Sequence, residues 1–261
     1  MSDAASSTPG TASAAGTGRD RRTVLATSGG FRAGSRTRLR PAALLEHAFA
    51  LAGRDGLEGR LCYVGTAGGD QAWFLSEVHQ AFAGTGVEVS TLTVFPMPNV
   101  DDVRAHLLAQ DVVWVGGGSV ANLLALWRLH GVDEAMRAAW EAGVVLGGVS
   151  AGSICWHVGG TTDSFGPDLR AVTDGLALLP YGNGVHYDSE EQRRPLLHRL
   201  VADGALPTSH ATDDGAGLVY AGTELVEAVT ERRGAAAYRV ERGDDGRAVE
   251  TRLETRLLPG A

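Results

Sequence analysis

Lysine is missing from this 261-residue sequence, and all 23 basic residues are arginine. With the surplus of Ala and Gly, this reflects coding bias and carries no functional signal. Only two cysteines occur, Cys62 and Cys155. Two cysteines do not make a disulfide framework, and no Cys/His spacing fits a zinc site, so no metal is expected. No apolar run approaches the ~18 residues a membrane span needs. Residues 1–20 are Ala, Ser, Thr and Gly-rich without an apolar h-region, which excludes a secretory signal and reads as a disordered tail. Arg21-Arg22 is followed by TVLATSGG, too short and polar for an export signal. A soluble cytoplasmic protein is expected. An excess of positive charge is also lacking: 31 acidic against 23 basic residues give a net charge of −8. Such a chain has no general attraction to phosphate backbones, so nucleic acid is not the expected partner.

What is present is apolar material and glycine. Hydrophobic residues make up 44% of the chain, enough for a sizeable core, and 36 glycines are about twice the usual ~7%. Short β-branched apolar runs alternate with helical patterns. Strands are expected at Thr23–Ser28, Leu61–Thr66, Val87–Phe95, Val112–Gly116 and Val144–Val149. Helices are expected at Pro41–Ala52, with Pro41 at its first position, and at Asp70–Phe82, Val100–Ala109, Ser119–His130 and Val132–Ala142. Near-continuous apolar strands between helices predict an α/β three-layer sandwich, a mostly parallel sheet with helices on both faces. Active residues then belong in loops at the carboxyl ends of the strands. Beyond Ser150 the expectation is a short helix at Ala151–Val158, a loop-rich segment to Tyr187 and a helix at Glu190–Asp203. Strands follow at Gly217–Tyr220, Leu225–Val229, Ala235–Val240 and Val249–Leu257. No linker interrupts the pattern, so residues 21–261 read as a single domain.

The sharpest local feature is Gly147-Gly148-Val149-Ser150-Ala151-Gly152, a G-x-S-x-G between an apolar strand and a helical pattern. That is the context of a nucleophile elbow, where small neighbours permit the sharp turn that exposes the serine. The start of the helix favours developing negative charge, and the Ala151 amide is a natural oxyanion donor. A Gly-rich turn with a passive serine is the plainer alternative. Val115-Gly116-Gly117-Gly118-Ser119 also joins a strand to a helix. Its bare amides suit an oxyanion hole or a phosphate cradle, although it lacks the lysine of a P-loop.

A nucleophilic serine needs a base and an orienting acid. Of eight histidines, His47, His79, His106, His130 and His198 fall on or at the ends of expected helices, and His157 lies on the elbow helix. His186 sits in a Gly-rich loop, and His210 ends Pro207-Thr208-Ser209-His210. Asp188, Asp213 and Asp214 are the downstream acids. Adjacent carboxylates alternate faces in a strand, so only one of Asp213 and Asp214 is expected to meet a histidine. Two triads remain open, Ser150–His186–Asp214 and Ser150–Asp188–His210.

Four segments in this order, VGGGSVANLL, GGVSAGS, GNGVHYDSEEQRR and TDDGAGLVY, resemble the peptidase E and cyanophycinase family of serine peptidases over about residues 23–240. The resemblance implies a class I glutamine amidotransferase-like (flavodoxin-like) fold and a Ser in place of the amidotransferase Cys. It implies Ser150 as nucleophile, His186 as base and Asp214 as third member, where the family usually has Glu, with Asp213 as the substitute. Gly117 or Gly118 with Ala151 match the oxyanion donors. The implied activity is that of a serine exopeptidase acting on short peptides, dipeptides with an N-terminal aspartate, through an acyl-enzyme and without a cofactor. The family's substrate-binding arginines map onto Arg193 and onto a position held here by Glu190, a departure that bears on aspartyl specificity. Tyr187, with Trp73 and Trp156, is a candidate for lining the cleft; core packing is the plainer role for such rings. A cyanophycinase-like hydrolase of β-Asp-Arg and a non-catalytic small-molecule binder are the competing readings. A small peptide is the expected partner and a homodimer a possible assembly.

Overall fold

The computed structural model describes residues 21–261, so the expected disordered tail at 1–20 lies outside the described residues. The chain opens with β1 (Thr23–Thr27), a small hairpin of β2 (Phe31–Ala33) and β3 (Leu39–Pro41), and α1 (Ala43–Leu51). Then follow β4 (Glu58–Val64), α2 (Ala72–Ala81), β5 (Gly86–Leu92), α3 (Val103–Leu108), β6 (Val112–Val115), α4 (Val120–His130), α5 (Val132–Glu141) and β7 (Val145–Val149). The second half comprises α6 (Ala151–Ile154), β8 (Gly159–Thr162), β9 (Arg170–Val172), β10 (Gly182–Gly184), α7 (Arg193–Ala202) and β11 (Ser209–Thr212). It ends with β12 (Ala216–Ala221), β13 (Glu224–Thr230), β14 (Ala237–Arg242), β15 (Ala248–Arg252) and β16 (Thr255–Leu257).

Eight strands form the central sheet in the order β16-β13-β12-β1-β7-β6-β4-β5. The stretch from β1 to β5 is parallel throughout, while β12 runs antiparallel to both β1 and β13. The apolar runs of β1, β4 and β6 feed two cores at once, because successive side chains point to opposite faces. Val24, Cys62, Val64, Val113 and Val115 pack on one face against Leu123, Trp127 and Met136 of α4 and α5. Leu25, Leu61, Tyr63, Val112 and Trp114 pack on the other against Leu44, Leu45 and Phe49 of α1 and Val78 of α2. The expected α/β sandwich, a mostly parallel sheet covered by helices on both sides, is the observed central architecture.

Three expectations are corrected. The loop-rich segment up to Tyr187 is not loop alone: it supplies the short strands β8, β9 and β10 to a second, six-stranded sheet of order β15-β14-β11-β10-β8-β9. These strands read GGTT, RAV and GNG, without apolar alternation; the glycines of β8 are packed against backbone and those of β10 against side chains. A Cβ at Gly159 would lie 2.9 Å from Thr173 Cα, and one at Gly182 would lie 3.2 Å from Ser209 Cβ. The single strand expected at Val249–Leu257 is two, β15 beside β14 in the second sheet and β16 beside β13 in the central one. Pro41 does not open α1 but ends β3 opposite Phe31. The start of α1 is served instead by a distant carboxylate, Glu231, whose Oε2 accepts from Leu44 N at 2.8 Å and whose Oε1 accepts from Gly30 N at 2.9 Å.

Candidate active site

The elbow is built by excluded volume. Strand β7 reaches Val149, Ser150 turns with φ 58° and ψ −113°, and α6 starts at Ala151. A Cβ on Gly148 would stand 2.5 Å from Gly152 O and 2.6 Å from Val115 O; one on Gly152 would stand 2.7 Å from Val115 C. Only hydrogen fits where the turn crosses the end of β6. The positive φ costs a serine on the order of 1–3 kcal/mol, which the surrounding structure sustains. Ser150 N donates to Thr27 O at 3.1 Å, and Ser150 O accepts from Ser153 N and Ile154 N. Its Oγ makes no hydrogen bond among the described residues.

The Gly-rich loop lies against this serine. Gly116 N donates to Val64 O and Ser119 N to Ala67 O. Between these anchors the amides of Gly117 and Gly118 have no acceptor among the described residues, nor has the Ala151 amide at the start of α6. A Cβ on Gly117 would be 3.8 Å from Ser150 Oγ, which puts that loop and the hydroxyl side by side. Gly118 has φ 134° and its back to Ala67, a position only glycine fills without strain.

His186 also has a positive φ, 51°. Its amide donates to Ser28 Oγ at 3.1 Å, and its Nδ1 lies 2.6 Å from Asp214 Oδ1. With Nδ1–H donated to the carboxylate, Nε2 is left with its lone pair. Asp214 sits in the turn between β11 and β12. Gly215 N donates to Ser28 O at 2.9 Å, and Asp214 N donates to Asp188 Oδ1 at 2.8 Å. Residues 27–28, at the carboxyl end of β1, thus receive the amides of Ser150, His186 and Gly215. Sequence reasoning missed Ser28; the available signal was its place just past a strand end, where α/β sheets put their sites.

The remaining candidates separate cleanly. Asp213 turns the other way: its Oδ2 accepts from Ala236 N at 2.9 Å and from Tyr238 OH at 3.3 Å, and burial raises its pKa. Asp188 braces Asp214 and pairs with Arg232, whose Nε donates to Asp214 O at 2.8 Å. Burial alone would raise the Asp188 carboxyl, but the Asp214 amide and the Arg232 guanidinium outweigh it and hold it below its ordinary value. The pairing Asp188–His210 does not form. His210 is buried, with Nδ1 2.9 Å from Tyr220 OH, and His157 approaches the same hydroxyl at 3.3 Å through Nε2 while its Nδ1 donates to Ser153 O.

This buried pair makes stability pH-dependent. Burial pushes His157 down to about 3 and His210 down to about 4. In the unfolded chain each takes up a proton near pH ~6.5, while the fold keeps both neutral. Their stabilisation is therefore complete above that value and is lost as the pH falls toward the folded values. Urea unfolding is expected to show a loss on the order of 1 kcal/mol per histidine for each pH unit below about 6.5. A midpoint that stays level from neutral pH to about pH 5 would contradict this.

Arg193 and Glu190 are brought together, with Nε to Oε2 at 2.8 Å. Arg193 is only 2% exposed and also donates through one terminal nitrogen to Thr161 O. Its other terminal nitrogen has no partner among the described residues. Tyr187 is a correction. Instead of lining the cleft, it is buried in the second-sheet core against Leu197 and Val240, with its hydroxyl donating to Glu250 Oε2 at 2.8 Å. Trp156 is core as well, while Trp73 is half exposed beside a cavity that reaches Gly117. Among the described residues no cluster of His, Cys, Asp or Glu could hold a metal ion, and no helix is long and apolar enough to cross a membrane.

A serine thrust out at the carboxyl edge of a mostly parallel sheet puts the molecule in the class of α/β serine hydrolases. The model of Peptidase family S51 matches residues 31–228. The uncharacterized peptidase YgaJ of Bacillus subtilis (strain 168) is 40% identical over 181 residues, covering 69% of this chain and 77% of its own. Two solved structures share the fold at low identity. A peptidase from an acI-B1 Actinobacterium matches with TM-score 0.62 and 16% identity over 89% of this chain and 94% of its own. A putative peptidase E protein from Listeria monocytogenes EGD-e matches with TM-score 0.54 and 15% identity over 89% and 98%. The chain belongs to peptidase family S51, the peptidase E and cyanophycinase family, and is a serine peptidase with the flavodoxin-like, class I glutamine amidotransferase-like fold of that family.

Proposed function

We propose that this peptidase hydrolyses short peptides through Ser150, His186 and Asp214. The observation that carries the reading is the 2.6 Å contact from His186 Nδ1 to Asp214, made by a histidine whose amide hangs from the residue next to the one holding Ser150. His186 Nε2 takes the Ser150 proton as Oγ attacks the amide carbonyl. The serine–imidazole hydrogen bond closes when substrate seats, as such contacts are often loose without it. The amides of Ala151 and of Gly117 or Gly118 receive the developing oxyanion. His186 then gives its proton to the leaving amine, and water, deprotonated by the same imidazole, resolves the ester.

On the substrate side, the reading is an N-terminal aspartyl dipeptide with Arg193 as anchor for the aspartate carboxylate. The unpartnered terminal nitrogen of Arg193 supports it. Because Glu190 already occupies Nε, the guanidinium offers less than a free bidentate fork, and aspartyl preference is expected to be modest. A second reading has its own observation: Asp163, Glu190 and Glu191 line a cavity of about 430 Å³, which suits a cationic group such as the arginine of β-Asp-Arg. Rates on α-aspartyl dipeptides, neutral dipeptides and β-Asp-Arg decide between the two. The cytoplasm is the proposed location.

Replacing the acid tests the catalytic assignment. Asp214→Asn is expected to lower kcat by about 10³–10⁴-fold, since an amide in that place no longer holds the imidazole in its base-ready tautomer. Asp213→Asn is expected to leave kcat within about threefold, because its carboxylate faces the second sheet. Equal losses in both variants would refute the assignment.

A further inference from the structure

On the side of Gly117 there is a cavity of about 310 Å³, at the lower end of ligand-sized pockets. Its floor is glycine and its walls are rings: Tyr63, Trp73 and Phe74, with Leu75 beside them. Phe74 and Trp73 meet edge to face at 5.4 Å, and Tyr63 lies 6.0 Å from Phe74. Gln71, the one amide side chain in the lining, is tied down: its Nε2 donates to Gly68 O at 3.1 Å, and its Oε1 accepts from Trp73 Nε1. No acidic or basic side chain lines the cavity. It adjoins Ser150, because Gly117 is at once its wall and the residue whose Cβ would come within 3.8 Å of Ser150 Oγ.

From this geometry we propose that the cavity is a specificity subsite that takes an uncharged apolar or aromatic side chain of the peptide next to the scissile bond. The reason is one of exclusion and of fit. A carboxylate or ammonium placed there would be desolvated among rings with no charged side chain in the lining to meet it; nearby, Arg38 is stacked on the Trp73 ring at 4.9 Å and the Asp70 carboxylate is taken by the Val94 and Phe95 amides. A ring would instead stack against Trp73 and Phe74 and leave water. The cleft is therefore two-sided, with charged groups at Arg193 and Glu190 and an uncharged aromatic pocket at Trp73. The proposal rests on the peptidase reading for what occupies the cavity, but it can be tested without turnover.

The test is calorimetric titration of the Ser150→Ala protein with Ala-Phe, Phe-Ala and Ala-Ala. At least one phenylalanyl peptide is expected to bind about tenfold or more tighter than Ala-Ala. Adding Trp73→Ala should bring that ratio close to one, and Trp73→Phe should restore most of it. Gly68→Leu is an independent variant: the nearest atom to its Cβ is Gly117 O at 3.6 Å, so the side chain has room to start and fills the cavity. It too should erase the ratio. Equal binding of the three peptides, no binding of any, or a ratio that survives both Trp73→Ala and Gly68→Leu overturns the subsite. Wild-type kcat/KM on the same peptides keeps the two ideas apart. Selective binding without hydrolysis would leave the subsite standing and count against the peptide-hydrolysing reading.

Discussion

The Ser150→Ala protein is expected to fold normally and to lose about 10⁵-fold or more in kcat on any peptide that the wild type cleaves. Both halves follow from the elbow. Ser150 Oγ takes no hydrogen bond among the described residues, so its removal leaves no buried partner stranded. Alanine pays the same backbone penalty at φ 58° as serine. In the proposed mechanism the hydroxyl is the attacking group, and what remains are the amides proposed to bind the oxyanion. Ser150→Gly sharpens the test. It should be as inactive as the alanine protein yet more stable than wild type by about 1 kcal/mol, since glycine relieves the strained turn. Thermal melts and peptide assays on the same samples separate the two effects. A glycine variant that is less stable than wild type would show that the turn is not strained.

Gly152→Ala is expected to be severely damaging, costing about 3 kcal/mol or more in a urea titration. The new Cβ would meet Val115 backbone, its carbonyl carbon at 2.7 Å and its oxygen closer still. Backbone does not rotate away as a flexible side chain does. Strand β6 and helix α6 would have to separate, carrying Ser150 away from Gly117. Peptidase activity should therefore fall even in the fraction that stays folded. Gly131→Ala is the matched control. Gly131 caps α4 with φ 68° and nothing lies within 4 Å of its would-be Cβ, so the expected cost is only about 1 kcal/mol. Similar losses in the two variants would mean that the crossing at β6 is looser than these distances imply.

Much of this was legible beforehand, for identifiable reasons. The runs VVWV and VLAT announce strands buried on both faces because nothing polar interrupts them. The elbow is legible because its glycines are required by contact, not by taste: Gly148 and Gly152 each back onto a carbonyl. Asp213 and Asp214 do point opposite ways as expected, although they lie in the turn between β11 and β12 and not in a strand. What stayed hidden depends on contacts between distant segments. Gly182 pairs with both β11 and β8 and Gly184 with β11, yet their sequence, GNG, is that of a turn. The bracing of Asp214 by Asp188 and Arg232 joins three separate loops. Tyr187 was misplaced because its partners, Leu197, Val240 and Glu250, come from distant segments. Ser28 carries no motif at all; its importance comes only from standing at the end of β1.

That last position has a mechanical consequence. Ser150, His186 and the turn bearing Asp214 are each pinned by an amide to two consecutive residues, Thr27 and Ser28. His186 and Asp214 have further ties, through Tyr187 N to Thr212 O and through Asp188 and Arg232. A displacement of the end of β1 nonetheless moves hydroxyl, imidazole and carboxylate in concert, and that part of the motion cancels in the distances between them.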